Sequence, residues 1–271
     1  MLRLILLLCV LSVPAAVQAQ ISIRTALSDD RRVAPGTTYD GVVEVWNETD
    51  VIQQAKVYQT DYRFFADGTN VYGEPGSEPR SNALWTQVSA GTITIPPQQS
   101  VPVNYRVAVP ESVNGAEPEG SYWSMIMVEA VPPESPESTI NPENGEPEYY
   151  VLQIMRYGIQ VATHIRGTGG PSLNITGSEL KLLDGGQTAL QVLVENQGTR
   201  MIRPEVWVEV YAEDGSALGK HDGVQNRIYP GTSVRQEIGL GTLAPGRYRA
   251  LVIFDGGGED VFGAEYNLEV N

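Results

Sequence analysis

The sequence predicts an all-β protein with two tandem β-sandwich domains. Apolar and polar residues alternate through most of the chain, as from Val101 to Val107 and from Val206 to Val210, and no stretch keeps a helical period for three turns. Turn sequences that permit tight chain reversal separate these runs at strand-like intervals. They are Pro35-Gly36, Asp67-Gly68, Asp184-Gly185-Gly186, Asp214-Gly215 and Pro245-Gly246.

One order of motifs occurs in each half of the chain. An alternating strand ends in Asn, a proline-containing turn ends in Ser, and Gly-x-Tyr then opens another apolar run. The first copy is Val43 to Asn47, Pro96 to Ser100 and Gly120 to Tyr122, and the second is Leu190 to Asn196, Pro230 to Ser233 and Gly246 to Tyr248. The repetition predicts one architecture used twice.

The boundary between the two units is predicted at residues 167–171, which read Gly-Thr-Gly-Gly-Pro. This stretch is too rich in Gly to continue a strand and too short to be a long tether. We therefore expect a first domain at residues 20–166 and a second at residues 171–271. Each falls within the usual domain size of about 100 to 150 residues.

Residues 1–19 have the pattern of a cleaved secretory signal peptide, with a charged start, an apolar stretch from Leu4 to Val13 and small residues before Gln20. A membrane anchor is the alternative, but the apolar stretch is shorter than the ~20 residues that span a bilayer. A lipoprotein signal is another, although Leu8 precedes Cys9 where a small residue is preferred. We expect an exported protein without a membrane span.

The charge of the chain argues against nucleic acid as a partner. Eighteen Lys and Arg stand against 33 Asp and Glu, which gives a formal net charge of -15. A field of that sign repels phosphate backbones. The acidity serves either solubility or an acidic recognition surface.

No catalytic or metal-binding motif stands out, and we expect a non-enzymatic protein without cofactor or metal. His164 and His221 are the only histidines, and neither lies near a nucleophile motif. Carboxylates near turns are the weak candidates for a hydrolase, namely Asp61, Asp67, Asp255 and Asp260. The run from Asp255 to Asp260 is either a calcium loop or a plain hairpin turn.

Aromatic residues gather in the first half of the chain. They are Tyr58, Tyr62, Phe64, Phe65, Tyr72 and Trp85. Burial in the sandwich is the expected outcome for most of them, and an exposed group that stacks on sugar rings is the alternative.

The segment from Leu243 to Tyr248 has the form of a tyrosine corner, in which a Tyr just after a reversal hydrogen-bonds back to the backbone. Tyr122 could take the same part in the first domain, unless both are ordinary strand residues. Such corners are typical of immunoglobulin-like sandwiches. The predicted fold class is therefore all-β, with two tandem immunoglobulin-like β-sandwich domains after a cleaved signal peptide.

The segment from Tyr149 to Val161 is the most informative for function. It follows an acidic, proline-rich stretch, residues 132–148, which we expect to be a mobile loop. Alternation places Val151, Met155, Tyr157, Ile159 and Val161 on one face and Tyr150, Leu152 and Ile154 on the other. At a sheet edge this strand would offer a face and free backbone groups to a partner, whereas in a central position neighbours would cover both sides.

These features, in this order, resemble the PapD-like periplasmic pilus chaperones, whose two immunoglobulin-like domains hold fibre subunits by lending them a strand. The matching motifs are Ile21 to Thr25, Val43 to Asn47, Pro97 to Ser100, Gly120 to Tyr122 and Val151 to Ile154. The resemblance implies that the strand before the linker is the donor, with Leu152 and Ile154 filling a groove of the partner. The partner-strand residues are then Val151, Leu152, Gln153, Ile154 and Arg156.

The same resemblance implies a carboxylate anchor between the domains, formed by an Arg of the first strand and a Lys near the end of the donor strand. The Arg corresponds to Arg24, or to Arg31 if the count starts from the Pro35-Gly36 turn. Gln160 stands at the Lys position, and a neutral amide does not supply the charge-assisted hydrogen bond that a buried carboxylate demands.

From the sequence we expect a chaperone-like protein of the bacterial periplasm or cell surface that binds a protein partner by β-strand addition, in pilus or envelope assembly. The alternative from a different class is a structural or adhesive surface module that binds glycan or cell wall. A hydrolase on a β-sandwich is the third hypothesis.

Overall fold

The computed structural model describes residues 20–133, 135–140 and 154–270, which are organised almost entirely as β-strands. The strands of the first half are β1 (Ile21–Ile23), β2 (Ser28–Val33), β3 (Thr38–Asn47), β4 (Gln53–Phe64), β5 (Asn70–Gly73), β6 (Thr86–Val88), β7 (Thr92–Ile95), β8 (Ser100–Ala108), β9 (Ser121–Val131) and β10 (Arg156–Ile165). Those of the second half are β11 (Leu173–Leu182), β12 (Thr188–Asn196), β13 (Glu205–Ala212), β14 (Ala217–Asp222), β15 (Ser233–Gly241), β16 (Gly246–Asp255) and β17 (Val261–Val270). Two short 3₁₀ turns, Ala83–Trp85 and Asp184–Gly186, complete the elements.

The strands form four sheets that pair into two sandwiches. In the first sandwich, one sheet has the order β1-β3-β8-β6, and the other has the order β2-β10-β9-β4-β5 with β7 also paired to β4. In the second sandwich, the sheets are β11-β12-β15 and β14-β13-β16-β17. The predicted fold class, two immunoglobulin-like β-sandwiches, is confirmed.

Alternating apolar residues fill each sandwich as the period of two predicts. In the first core, Val43 and Val45 of β3 lie among residues such as Ile126 and Ile159, all of them buried. In the second core, Val192 and Val194 of β12 pack with residues such as Val208 and Phe254. Burial of this apolar surface is the main source of stability for both units.

The Asn that ends β3 explains the first copy of the repeated motif. Asn47 is fully buried, and its side-chain nitrogen donates to the carbonyl oxygens of Val51 (2.7 Å) and Ile95 (3.0 Å). Its side-chain oxygen accepts from the backbone N–H of Thr49 at 2.9 Å. The amide therefore ties the end of the strand to two chain segments that would otherwise leave buried polar groups without partners.

The Asn that ends β12 does the same in the second sandwich. Asn196 is also fully buried and donates to the carbonyls of Arg200 and Ile228, both at 2.9 Å. It accepts from the backbone N–H groups of Gly198 (2.9 Å) and Ser172 (3.1 Å). The repeated Asn is a structural device, not a site of chemistry.

The tyrosine of the second copy forms the predicted corner, and that of the first does not. The hydroxyl of Tyr248 donates to the carbonyl of Ala244 at 2.6 Å. Tyr122, by contrast, lies inside the first core with its ring centroid 4.5 Å from that of Trp85. Tyr122 is therefore an ordinary strand residue, because β9 directs its side chain between the two sheets.

The two sandwiches meet along a seam of direct hydrogen bonds. The backbone N–H of Ser121 donates to the carbonyl of Thr199 at 2.9 Å, and the N–H of Met201 donates to the Ser121 hydroxyl oxygen at 2.9 Å. A third bond joins the N–H of Ala66 to the hydroxyl oxygen of Ser233 at 2.9 Å. These bonds fix the second sandwich against β9 and the end of β4.

The acidic stretch before β10 is described only in its first part. There the backbone N–H of Thr139 donates to the side chain of Gln54 at 2.9 Å, and Lys56 pairs with Glu137 at 3.2 Å. This part of the stretch is thus held against β4. Residues 141–153, which include the second part of the predicted mobile loop, lie outside the described residues.

Candidate partner-binding site

Strand β10 is paired with two neighbouring strands along its second half and with one along its first half. It pairs antiparallel with β9 from Arg156 to His164, and it pairs parallel with β2 only from Gln160 onward. The half from Gln160 to Ile165 is therefore a central strand, which corrects the expectation of an open edge as far as Val161. The half from Arg156 to Ile159 has β9 on one side and no strand of the described residues on the other.

Backbone groups of every second residue face this open side. On the β2 side, the backbone N–H of Gln160 donates to the carbonyl oxygen of Leu27 at 2.9 Å. On the β9 side, the carbonyl oxygen of Met155 accepts from the backbone N–H of Ala130 at 3.1 Å. Since successive residues of a strand direct their polar groups to opposite sides, Ile154 and the even-numbered positions of β10 face outward here. Among the described residues, no backbone hydrogen bond satisfies Ile154, Arg156 or Gly158 on that side.

Of the predicted partner-strand residues, Ile154 and Arg156 are placed by the structure at this open side. The side chain of Ile154 is exposed, which is unusual for a large apolar residue at the entry of a strand. Val151, Leu152 and Gln153 lie outside the described residues.

The side chain of Arg156 is held away from the open backbone by an ion pair. Its Nε lies 2.7 Å from a carboxylate oxygen of Glu129, which also accepts from the Tyr58 hydroxyl at 2.9 Å. Burial acts to raise the pKa of Glu129, but the hydrogen bonds from Arg156 and Tyr58 outweigh it and keep that pKa below its ordinary value. Glu129 is therefore ionised near neutral pH and orients Arg156.

Two methionines of β9 lie beside Gly158. Gly158 faces Met127 across the β10–β9 pair, and a Cβ atom at position 158 would lie 3.1 Å from the sulfur of Met125 and 3.3 Å from that of Met127. Met127 is buried and Met125 is partly buried, so glycine at this position leaves room for the two thioethers.

Gln160 lines a cavity of about 700 Å³ between the two sandwiches. Three arginines of the second sandwich, Arg203, Arg227 and Arg235, line the same cavity, together with aromatic residues such as Phe64 and Tyr229. No carboxylate is present among the described lining residues. The cavity therefore carries positive charge although position 160 itself is neutral.

The structure does not bring the three predicted anchor residues together. Arg24 pairs with Glu48 at 3.1 Å and lies over the ring of Trp46, on the other sheet of the first sandwich. Arg31 pairs with Asp29 at 2.7 Å on β2. Neither lines the cavity that holds Gln160.

Comparison with known proteins finds likeness in fold. No protein-family model and no curated protein sequence matches the chain. Among solved structures, the class 5 fimbriae chaperone CfaA shares 14% identity over 93% of this chain and 99% of its own, with a TM-score of 0.46. The YadV chaperone shares 11% identity over 92% of this chain and 100% of its own, with a TM-score of 0.44.

A third similar structure is the CsuC–CsuE chaperone–tip adhesion subunit complex of Csu pili from Acinetobacter baumannii. One of its chains shares 13% identity over 91% of this chain and 98% of its own, with a TM-score of 0.44. At these identities the likeness concerns the fold alone.

Three polar residues that the sequence did not single out together meet between the sandwiches. Nδ1 of His164 lies 2.8 Å from the hydroxyl oxygen of Ser121, and Nε2 lies 3.3 Å from a carboxylate oxygen of Asp30. Ser121 is fully buried and already accepts the N–H of Met201, so it is not available to a substrate. Although the residue types are those of a hydrolase triad, the arrangement joins the sandwiches.

Asp30 is the hub of this group. Besides His164, it accepts from Arg227 at 2.9 Å and from the Tyr229 hydroxyl at 3.3 Å, and both belong to the second sandwich. The hydrogen bond from His164, helped by Arg227 and Tyr229, lowers the pKa of Asp30 against the opposing effect of burial. Asp30 therefore links β2 to the second sandwich through its ionised form.

Replacing Asp30 by Asn is expected to lower the free energy of unfolding by about 1 to 2 kcal/mol near neutral pH, because charge-assisted hydrogen bonds are lost. The pKa of Asp30 is lower in the folded chain, so the wild-type advantage is full above the ordinary pKa of 3.8 and disappears as pH falls through the folded pKa. Urea unfolding near pH 7 and at successively lower pH measures this difference.

The exposed pair of Asp40 and Arg106 supplies the control for that experiment. Asp40→Asn removes a surface ion pair and is expected to change stability little, because solvent screens exposed charges. A difference between wild type and Asp30→Asn that stays constant as the pH falls would contradict the role of the ionised carboxylate.

The carboxylates considered for hydrolysis or calcium binding have other partners. Asp61 is fully buried, where it accepts from the backbone N–H of Glu78 at 2.8 Å and from neighbouring groups of the same loop. Asp255 accepts from the N–H of Gly257, and Asp260 pairs with Arg200 at 2.6 Å. Within residues 20–133, 135–140 and 154–270, no group of three or more His, Cys, Asp or Glu is placed to hold a metal ion.

The aromatic residues of the first half are divided between core and surface. Trp85 packs against the first core, and Phe64 packs against the second. Tyr62 and Tyr72 form a tilted pair with ring centroids 5.2 Å apart, and Tyr72 is 57% exposed.

None of the described helical turns has the length and apolar character of a membrane-crossing helix.

Proposed function

We propose that the chain is an exported, non-enzymatic, chaperone-like protein that binds an extended segment of a protein partner by β-strand addition to the open side of β10. The observation that carries the proposal is the row of backbone groups at Ile154, Arg156 and Gly158 that lack partners among the described residues. Unpaired groups of this kind are a template for another strand.

The position of β2 defines where the partner segment ends. Since β2 covers β10 from Gln160 onward, an added strand lies in line with β2 and stops near Ser28. One set of its side chains would face Tyr157, which borders the first core and donates to the carbonyl of Ile21 at 3.0 Å. The other set would lie beside Gly158 and the partly buried Met125. Alternating apolar residues in the partner suit both faces.

The arginine-lined cavity beside Gln160 supports an anchor for a carboxylate at the end of the partner segment. Arg227 already pairs with Asp30, whereas Arg203 and Arg235 have no ion pair within the described parts of the chain. Arginine side chains bind carboxylates through paired N–H groups. In this proposal the second sandwich supplies the charge that position 160 lacks.

Proline at position 156 tests the strand-addition step. Arg156→Pro removes an N–H that faces the open side, at the first residue of β10, where the strand's own pairing with β9 does not use it. We expect binding of an extended peptide with alternating Val residues to weaken at least roughly tenfold, because main-chain hydrogen bonds provide much of the affinity. Fluorescence anisotropy of the labelled peptide measures the affinity.

Arg156→Ala is the matched control, since it removes the ion pair with Glu129 and keeps the backbone N–H. We expect this variant to bind within about threefold of wild type, because an exposed ion pair contributes little. Equal loss of binding in both variants would show that the side chain, not the backbone, makes the contact, and strand addition would be rejected.

The surface-module hypothesis makes a different prediction for the same proteins. If the exposed pair of Tyr62 and Tyr72 binds glycan, Arg156→Pro leaves retention on polysaccharide unchanged and Tyr72→Ala abolishes it. Location in the bacterial periplasm or at the cell surface is part of the proposal and rests on residues 1–19.

A further inference from the structure

A second cavity between the sandwiches lies on the linker side of the seam. It has a volume of about 400 Å³ and is bordered by the linker residues Gly167 and Thr168. Arg32 and Arg166 line it from the first sandwich, and Arg200 and Arg203 line it from the second. Four arginines from separate parts of the chain therefore border one cavity.

The balance of charge in this cavity is opposite to that of the whole chain, whose formal net charge is -15. Asp260 is the one carboxylate among its described lining residues, and it pairs with Arg200 at 2.6 Å. Arg166 donates to the backbone carbonyl of Arg32 at 3.2 Å. Arg32 and Arg203 form no ion pair with any described residue, so the cavity holds an excess of positive charge.

Backbone hydrogen bonds fix the chain at the arginines of both sandwiches. The carbonyl of Gly170 accepts from the backbone N–H groups of both Thr199 (2.8 Å) and Arg200 (3.2 Å). On the other side, the N–H of Arg166 donates to the carbonyl of Val33 at 2.9 Å, at the end of β2. A site whose backbone is already ordered loses less free energy on binding than one that must be assembled.

We infer that this cavity is a binding site for a phosphate group. The fork of N–H donors on an arginine matches the oxygens of phosphate, and several arginines around one compact dianion offset their mutual repulsion by binding it. His164 lies in the same wall, but its two ring nitrogens are occupied by Ser121 and Asp30. The phosphate therefore contacts the arginines.

This site is separate from the partner-binding site. Arg227 and Arg235 line only the cavity that contains Gln160, and Arg32 and Arg166 line only the linker-side cavity. Arg203 borders both cavities and is left out of the test. Arg32 and Arg166 provide the two test variants, and two exposed arginines outside both cavities, Arg106 and Arg249, provide the matched controls.

Isothermal titration calorimetry with inorganic phosphate tests the inference, with sodium chloride at the same ionic strength as the blank. Wild type is expected to bind with a dissociation constant on the order of 1 mM or tighter. Arg32→Gln and Arg166→Gln are each expected to weaken binding roughly tenfold, the effect of losing one hydrogen bond to a charged group. Arg106→Gln and Arg249→Gln, at exposed ion pairs outside both cavities, are expected to leave the affinity unchanged.

Glycerol 1-phosphate is the second probe and distinguishes two sources of the same chemistry. Binding of the ester as tightly as phosphate indicates a site for phosphate esters, and weaker binding indicates free phosphate. The inference is overturned if wild type shows no saturable heat with either probe. It is also overturned if the control variants lose as much affinity as Arg32→Gln and Arg166→Gln, because the anion then lies elsewhere.

Discussion

Alanine in place of Gly120 is expected to lower the free energy of unfolding by roughly 3 kcal/mol or more. Gly120 has a φ of 71°, and a Cβ atom there would lie 1.9 Å from the carbonyl oxygen of Thr199. That oxygen accepts the N–H of Ser121, so relief of the overlap separates the two sandwiches and breaks the seam bond. Urea unfolding followed by tryptophan fluorescence measures the loss.

Gly115 offers a matched control for this substitution. It also has a positive φ, of 84°, but a Cβ atom there would meet nothing within 4 Å. Gly115→Ala is therefore expected to cost only the backbone strain, about 1 kcal/mol. Similar losses for the two variants would show that the contact with Thr199 yields without cost, and the seam would not be rigid.

Removing the side-chain amide of Asn196 is expected to cost about 3 kcal/mol, because four hydrogen bonds to buried or partly buried backbone groups are lost at once. Asn47→Ala should have a similar cost in the first sandwich, where the amide serves the same kind of groups. Guanidinium unfolding of each variant gives the two values.

Asn104→Ala serves as the control for both, since Asn104 is exposed on β8 and is expected to change stability by at most about 0.5 kcal/mol. A loss below about 1 kcal/mol at Asn196 would mean that water replaces the amide. The repeated Asn would then be a feature of local sequence without a role in stability.

The sandwich fold was predictable because its signal is local. Alternation, turn residues and the repeated Asn all act within a few residues, and the two cores use the faces that alternation assigns. The corner at Tyr248 was predictable for the same reason. The position of Tyr122 in the first core was not predictable, since its Gly-x-Tyr motif contacts the second sandwich through Ser121.

The state of β10 could not be decided from its own residues. Its cover is β2, whose sequence Ser-Asp-Asp-Arg-Arg-Val lacks apolar alternation and does not indicate a strand. The parallel pairing of β2 with β10 depends on chain segments far apart in sequence. The central-strand hypothesis therefore describes β10 from Gln160 onward, and the edge-strand hypothesis describes the part from Arg156 to Ile159 among the described residues.

The arginines of both cavities were likewise missed. Arg227 and Arg235 belong to the second sandwich, and only the packing of one sandwich on the other brings them near Gln160. No spacing in the sequence encodes that packing. The cluster of Ser121, His164 and Asp30 was missed for the same reason, since it draws on three strands.

The parallel pairing of β2 with β10 also imposes an order of assembly. As the chain is synthesised, β2 is among the first strands made, yet the strand that completes its sheet is the last of the first sandwich. Contacts between such distant segments slow folding, and in the interval an unsatisfied strand remains exposed to other chains. The charged residues from Asp29 to Arg32 suit that interval, because charged side chains on an unpaired strand discourage edge-to-edge association.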